Sequence, residues 1–155
     1  MHDRGGSMLL IHSAIRKVSD DDRGLYSSFL TDCFFSESCS NLTASFEDFG
    51  DVVRIVRRWK RENDRTLPSG RTLCKIGSDR EATPEAFKKA GFQKVPEKSA
   101  DVDVLDFIEQ KFGTRDHVEP LLYLDHPSNK KRRIYAVFFT QYLRLVGGSR
   151  ALLFL

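Results

Sequence analysis

The chain has few cysteines and no long apolar run, and both absences exclude whole classes of protein. It contains only three cysteines, Cys33, Cys39 and Cys74, an odd number without a CxxC pair. A secreted disulfide scaffold needs an even and denser set, so the sequence predicts reduced thiols and an intracellular protein, cytoplasmic or nuclear. No stretch approaches the roughly 20 apolar residues of a membrane span, and the run Met8–Ile11 is too short for a secretory signal. No membrane association is therefore expected.

The motifs of common catalytic and cofactor sites are also missing. The sequence has no GxSxG nucleophile turn, no HExxH zinc motif and no glycine-rich phosphate loop with its lysine. His12, His117 and His126 form no pair at the spacing of metal ligands, and histidines at the surface or at helix ends are the simpler interpretation. The sequence therefore predicts a protein that is not an enzyme and that binds no metal or other cofactor.

The chain does contain enough apolar residues for a folded core. Of its 155 residues, 40% are hydrophobic and 12 are phenylalanine. Burial of these side chains can offset the conformational entropy lost on folding. The formal net charge is only +3, which does not by itself indicate a nucleic-acid partner. A soluble globular protein is expected.

Periodicity and capping signals predict several elements in the first half of the chain. Residues 13–35 favour one or two short helices, and the polar residues 36–41 favour a loop. Glu47–Asn63 is predicted to be an amphipathic helix with a capping box at Ser45 and Asp48. Its apolar side chains recur at intervals of three and four residues and are Phe46, Phe49, Val53, Val56 and Trp59.

A short strand and a short helix are expected next. Thr72–Ile76 alternates polar and apolar residues as a strand does. Thr83–Phe92 carries a complete set of helix signals, with Thr83 as N-cap, Pro84 at the first helical position and Gly91 at the left-handed position after the end.

The stretch Val95–Asp101 is typical of a linker. It divides the chain into a helix-rich α+β unit at residues 8–98 and a second helical unit at 99–155 packed on the first, unless both belong to one single domain. Residues 1–7 are expected to be a disordered leader or a remnant of cloning.

The C-terminal third contains the most apolar segments of the chain. Asp103–Gly113 predicts a helix that ends at its glycine, and Thr114–Pro127 predicts a helix bent by its internal proline. The length of Ile134–Val146 favours a buried helix, although its β-branched and aromatic residues leave a strand open. Ala151–Leu155 must enter the core unless a longer natural chain covers it. The predicted fold class is α+β, helix-rich with a small antiparallel sheet.

A row of arginines is the strongest functional signal in the sequence. Arg54, Arg57, Arg58 and Arg61 fall on the side of the predicted helix opposite its apolar face. Arginine favours bidentate contacts with carboxylate or phosphate, and like charges at this spacing repel each other. The row therefore favours a docking surface for an acidic partner. The simpler interpretation is a solvated face whose charges pair with Glu47, Glu62 or Asp20–Asp22.

A second basic cluster follows the predicted helix at Thr114–Pro127. It consists of Lys130, Lys131, Arg132 and Arg133, in a stretch expected to be a turn. A charged turn is ordinary, but two basic clusters in one small chain strengthen the prediction of an acidic partner. We expect the second cluster to assist the arginine row.

The C-terminal third resembles the PUB domain of peptide N-glycanase and UBX-containing cofactors. The resemblance lies in "HPSNKKRRI" followed by "FTQYLRLVGGSRALLF", which follow that family's turn, its Lys-x-Arg-x-Ile and its final apolar pattern. The matching positions are Pro127, Lys130, Arg132, Ile134, Phe139, Leu143, Val146, Gly148, Leu153 and Phe154. The resemblance implies a helical α+β domain with a small sheet that binds the C-terminal tail of the valosin-containing AAA ATPase through a groove with basic residues.

Other functions remain open from the residues alone. A capped helix followed by Gly-Phe, after a basic helix, also suits a winged-helix module that grips DNA phosphates. A structural subunit of a larger complex would instead expose an apolar patch. The preferred hypothesis is a non-enzymatic adaptor that binds an acidic peptide or protein through its basic helix, with nucleic-acid binding as the alternative.

Overall fold

The computed structural model describes residues 7–11, 28–29, 31–36, 39–44, 48–63, 70–74, 76, 80–96, 102–114, 116–144, 146 and 148–155. The leader expected at residues 1–7 lies outside these ranges apart from Ser7, which begins a strand. Of the helical region expected at 13–35, residues 28–29 and 31–35 are described and are helical.

The fold is α+β with an antiparallel sheet, as the sequence predicts, and this sheet has five strands. The strand order across the sheet is β3 (Arg71–Cys74), β7 (Gly148–Phe154), β6 (Asn129–Leu143), β5 (Val118–His126) and β4 (Gln93–Lys94). A separate parallel pair is formed by β1 (Ser7–Ile11) and β2 (Cys39–Ala44). The helices with complete bounds are α1 (Phe49–Arg61), α2 (Pro84–Lys89) and α3 (Val102–Phe112).

Helices cover both faces of the sheet, so that the fold has three layers. Alternation along β6 directs Ile134 and Phe138 to one face, where they pack with α1, α2 and Phe34. Tyr135 and Val137 point to the other face, where they pack with α3. Because β6 is covered on both sides, all six residues from 134 to 139 are buried.

The helix expected over Ile134–Val146 is therefore wrong, and the alternative of a strand is correct. A strand that is buried on both faces carries an unbroken apolar run, whose pattern a buried helix shares. The helix expected over Thr114–Pro127 is also wrong, because most of this segment forms β5 and pairs with β6. The sheet is consequently larger than predicted. Ala151–Phe154 lies in β7 and is fully buried. This agrees with the expectation that the apolar run at the end of the sequence enters the core.

Smaller differences concern the first half of the chain. The loop expected at 36–41 is partly strand, since β2 begins at Cys39. The capping box is wrong in its N-cap: α1 begins one residue after Asp48, whose carboxylate accepts a hydrogen bond of 2.8 Å from the amide of Gly50. Ser45 lies outside the described residues. The predicted strand at Thr72–Ile76 is confirmed in β3.

The short helix α2 has the capping that its sequence predicts. The Thr83 hydroxyl accepts a hydrogen bond of 3.1 Å from the amide of Ala86, and Pro84 occupies the first helical position. Gly91 has a φ of +108°, a left-handed conformation that other residues rarely adopt. Gly113 likewise follows the end of α3 with a φ of +81°. These helix ends are specified locally.

Contacts across the predicted linker join the two stretches of chain. Strands β3 and β4 precede Val95–Asp101, whereas β5, β6 and β7 follow it, and all five belong to one sheet. Val95 is buried, and its amide donates a hydrogen bond of 2.9 Å to the carbonyl of Leu121. Residues on both sides of the predicted linker therefore belong to one sheet, and the division into units stays a prediction.

Phe87 of α2 is the centre of an aromatic cluster on the α1 face of the sheet. It is 1% exposed, and its ring centre lies 5.0 Å from that of Phe49, 5.2 Å from that of Phe92 and 5.5 Å from that of Phe138. All three pairs are edge-to-face, a favourable aromatic geometry. The side chain thus ties α1, α2 and the central strand together.

We expect Phe87→Ala to lower the free energy of unfolding by about 3–5 kcal/mol, because it removes buried area and leaves a cavity. Urea unfolding monitored through the single tryptophan, Trp59, measures the loss. Phe29→Ala is the matched control: Phe29 is 58% exposed, so the same substitution should change stability by less than about 0.5 kcal/mol. Equal effects of the two substitutions would contradict the packing described for Phe87.

Candidate functional site

The four predicted arginines of α1 line one open groove, here called the arginine groove. Its volume is about 370 Å³, and its other wall is formed by the neighbouring helical residues. The lining residues within the described part of the chain are Ser28, Thr31, Asp32, Arg54, Arg57, Arg58 and Arg61. Helical spacing puts the arginines here because Val52, Ile55, Val56 and Trp59 are buried on the opposite side of α1.

Arg58 is held within the protein and is the least exposed of the four arginines. Its Nη1 donates to Asp32 Oδ1 at 2.7 Å and its Nε donates to Glu62 Oε1 at 3.2 Å. Its guanidinium carbon lies 4.5 Å from the centre of the Phe35 ring, in cation–π contact. Burial alone would lower the pKa of Arg58, but the hydrogen bonds to Asp32 and Glu62 outweigh it and raise this pKa. Arg58 therefore positions the second wall of the groove.

The other three arginines project into solvent. Arg54 pairs with Asp51 at 3.2 Å, yet its side chain remains 65% exposed. Arg57 and Arg61 are exposed, and no carboxylate of the described residues lies within ion-pair distance of either. Of the carboxylates that the simpler interpretation names as partners of the arginines, Glu62 does pair with Arg58. The others, Glu47 and Asp20–Asp22, lie outside the described residues.

The second basic cluster contributes to a different groove, here called the lysine groove. It has a volume of about 370 Å³ and lies at the start of α3. Its lining residues in the described part of the chain are Asp103, Val104, Phe107, Lys130, Lys131, Arg133, Tyr135 and Leu155. Arg132 is half-buried and does not line it. The predicted turn is only partly correct, because β6 already begins at Asn129.

Arg133 makes its contacts with residues of the sheet, which leaves it less available to an external ligand. Its Nε donates to Asp125 Oδ1 at 2.7 Å across the β5–β6 pair. Its guanidinium carbon lies 4.2 Å from the Tyr123 ring centre and 5.7 Å from that of Tyr135. The hydrogen bond to Asp125 raises the pKa of Arg133 above its ordinary value, against the effect of burial. Lys130 and Lys131 are the exposed cations of this cluster.

The structure does not bring the two basic clusters together in one groove. The helix that carries Arg54–Arg61 packs on the same face of the sheet as Ile134. Val104 and Tyr135 of the lysine groove belong to the core on the other face. The two grooves share no described lining residue. The expectation that the second cluster assists the first stays a prediction.

The wall residues of the arginine groove had no signal in the sequence. Asp32 lies 26 positions before Arg58. The sequence around Asp32 predicted a helix, but nothing in it indicated a contact with Arg58. The contact between Asp32 and Arg58 depends on the position of Phe34. The ring centre of Phe34 lies 4.7 Å from that of Phe154, and the Arg71 guanidinium donates to the carbonyl of Phe34. Only the folded chain places these residues beside α1.

The described histidines and cysteines form no metal site. Within the described ranges there is no group of three or more His, Cys, Asp or Glu side chains that could hold a metal ion. His126 is buried, and its Nε2 lies 3.0 Å from the carbonyl oxygen of Trp59 in the last turn of α1. The Ser128 amide donates to His126 Nδ1 at 3.2 Å, which leaves Nε2 as the donor to the helix end. This is the helix-capping role expected for one of the histidines.

No family model, no curated protein and no solved structure matches the chain. The resemblance to the PUB domain therefore stays a prediction. Its residues lie in or next to the β5–β6 turn, in strands β6 and β7 and, in the case of Val146, between these two strands. None of the helices in the described part of the chain is long and apolar enough to span a membrane.

A double-mutant cycle tests the role of Arg58. We expect Arg58→Ala to lower the free energy of unfolding by about 1–2 kcal/mol, since it loses two ion pairs, each worth roughly 0.2–1 kcal/mol, and a cation–π contact. Asp32→Ala and the double variant complete the cycle and isolate the coupling. Arg57→Ala is the control and should have almost no effect on stability. A zero coupling energy between Arg58 and Asp32 would contradict the assigned positioning role.

Proposed function

We propose that this protein is a non-enzymatic binding module that holds an acidic segment of a partner protein in the arginine groove. The observation that supports the proposal most directly is the state of Arg57 and Arg61. Both are exposed at the groove and lack an ion pair within the described residues. At i,i+4 spacing they repel each other by a few tenths of a kcal/mol, and a bound anion would remove this repulsion.

The spacing of the arginines suits an extended acidic segment. Side chains at i,i+4 on a helix have their Cβ atoms about 5–6 Å apart. Every second residue of an extended chain points the same way, at intervals of about 7 Å. Alternate acidic residues of such a segment could thus each bind one guanidinium. Arg58, which Asp32 holds at 2.7 Å, forms part of the wall. Charge-assisted hydrogen bonds of this kind are among the strong ones in proteins.

The shape of the groove favours a peptide over a nucleic acid. The groove side of α1 is flanked by helical residues 28–29 and 31–32, so α1 does not protrude there as a helix must to enter the DNA major groove. Single-stranded nucleic acids need aromatic rings on which bases stack. No aromatic side chain is among the described residues that line the groove. The resemblance to the PUB domain implies a partner of the same class, a protein tail held by basic residues.

The test is a comparison of two charge reversals of equal size. We expect Arg57→Glu/Arg61→Glu to weaken binding of a fluorescein-labelled peptide with alternating Glu residues by at least about tenfold, since two charge-assisted hydrogen bonds are lost. Lys130→Glu/Lys131→Glu makes the same change in net charge in the lysine groove and should alter the affinity by no more than about threefold. Fluorescence anisotropy gives both dissociation constants, and circular dichroism verifies the fold.

Two outcomes would overturn the proposal. Equal losses in both variants would mean that the peptide responds only to net charge. Tighter binding of a labelled oligonucleotide, with a slope of log K against log salt that indicates several released counterions, would replace the acidic segment by a nucleic acid.

A further inference from the structure

We infer that the group recognised in the arginine groove is a phosphate, carried by a phosphorylated serine or threonine of the partner segment. This inference rests on the proposed function and names its ligand more closely. It follows from three properties of the groove: the number of guanidinium groups, the polar or charged type of every described residue that lines it, and the arrangement of its other polar side chains.

The groove offers more donors than carboxylates would use. Arg54, Arg57 and Arg61 are exposed and follow one another along the groove side of α1, at intervals of three and four residues. A guanidinium has five N–H donors, and one bidentate contact satisfies both oxygens of a carboxylate. A phosphate ester has three terminal oxygens and a charge of about −1.5 to −2 at neutral pH. It can therefore accept from two neighbouring arginines at once, which a single carboxylate does less well.

Every described residue that lines the groove has a polar or charged side chain. Ser28 and Thr31 contribute hydroxyl groups to the wall that faces the arginines. Most ligand pockets are lined mainly by apolar side chains, and here Phe35 is covered by Arg58 at 4.5 Å. Affinity must then come from charge and hydrogen bonds, and a phosphate brings more of both in one group than a glutamate does.

Asp32 does not cancel the positive charge of the groove. Its carboxylate lies 2.7 Å from Nη1 of Arg58, which also pairs with Glu62. These three groups form one cluster at the wall, in which the Asp32 side chain is 73% exposed. Arg57 and Arg61 provide the remaining positive charge, and Arg54, which pairs with Asp51 at 3.2 Å, stays 65% exposed beside them. The phosphate is placed between Arg57 and Arg61, where neither guanidinium has an ion pair within the described residues.

The experiment compares three labelled peptides that share one acidic sequence and differ at one central residue: Ser, Glu or phosphoserine. Anisotropy titrations at pH 7.5 and physiological salt should show the phosphopeptide binding at least about tenfold more tightly than the Glu peptide. Arg57→Lys/Arg61→Lys keeps both charges but removes the planar fork. It should reduce the preference for phosphoserine to less than about threefold while the Glu peptide keeps most of its affinity.

A pH series provides an independent readout. The second pKa of a phosphate ester is about 6, so lowering the pH from 7.5 to 5.5 removes charge from the phosphopeptide and should weaken its binding. The Glu peptide stays charged, because the pKa of glutamate is about 4.3. The charged groups that line the groove are the four arginines of α1 and Asp32, and no histidine is among the described lining residues.

Each result has a separate meaning. Equal affinity of the Glu and phosphoserine peptides would overturn the phosphate inference and leave the acidic-segment proposal standing. Failure of both peptides to bind would overturn both. Flotation with vesicles containing phosphatidylinositol bisphosphate, without any binding of the phosphopeptide, would assign the phosphate to a lipid headgroup and overturn the protein source. Competition of the phosphopeptide by inorganic phosphate supports the inference.

Discussion

Burial of the central strand on both faces is the constraint on which the rest of the fold depends. Residues 134–139 of β6 are covered by α1 and α2 on one side and by α3 on the other. Their burial supplies much of the apolar area that drives folding. The amphipathic helix α1 can cover this sheet only with Val52, Ile55, Val56 and Trp59 inward. Its arginines then have to face away from the sheet, so the same packing that builds the core also creates the charged surface.

A second constraint turns that charged surface into a groove. Phe34 is buried against Phe154, and the buried Arg71 binds its carbonyl group. These contacts fix the helical residues 31–35 beside α1. Arg58 then closes the contact through Asp32 and the ring of Phe35. One arginine of the row is thereby used for structure, and the other three retain guanidinium groups that a ligand can reach.

The two grooves differ in chemistry as well as in position. The described residues that line the arginine groove are polar or charged and include four arginines, which suits a charged group held by hydrogen bonds. The lysine groove combines Val104, Phe107 and Tyr135 with two exposed lysines, while its arginine, Arg133, is committed to Asp125 and two tyrosine rings. Each cluster has four basic residues, so the sequence does not distinguish the two. The contacts that these residues make in the fold do distinguish them.

Local signals in the sequence determined the ends of α2 and α3, the strand at Arg71–Cys74 and the amphipathic character of α1. Each depends on residues within a few positions of one another, so the pattern carries the information. The tertiary structure alone decided that Ile134–Val146 is mostly strand, because an apolar run covered on both sides has the same composition in a buried helix. It also decided which arginines remain exposed. The Asp32–Arg58 contact spans 26 positions, and such a contact exists only once the sheet has brought the two helical segments together.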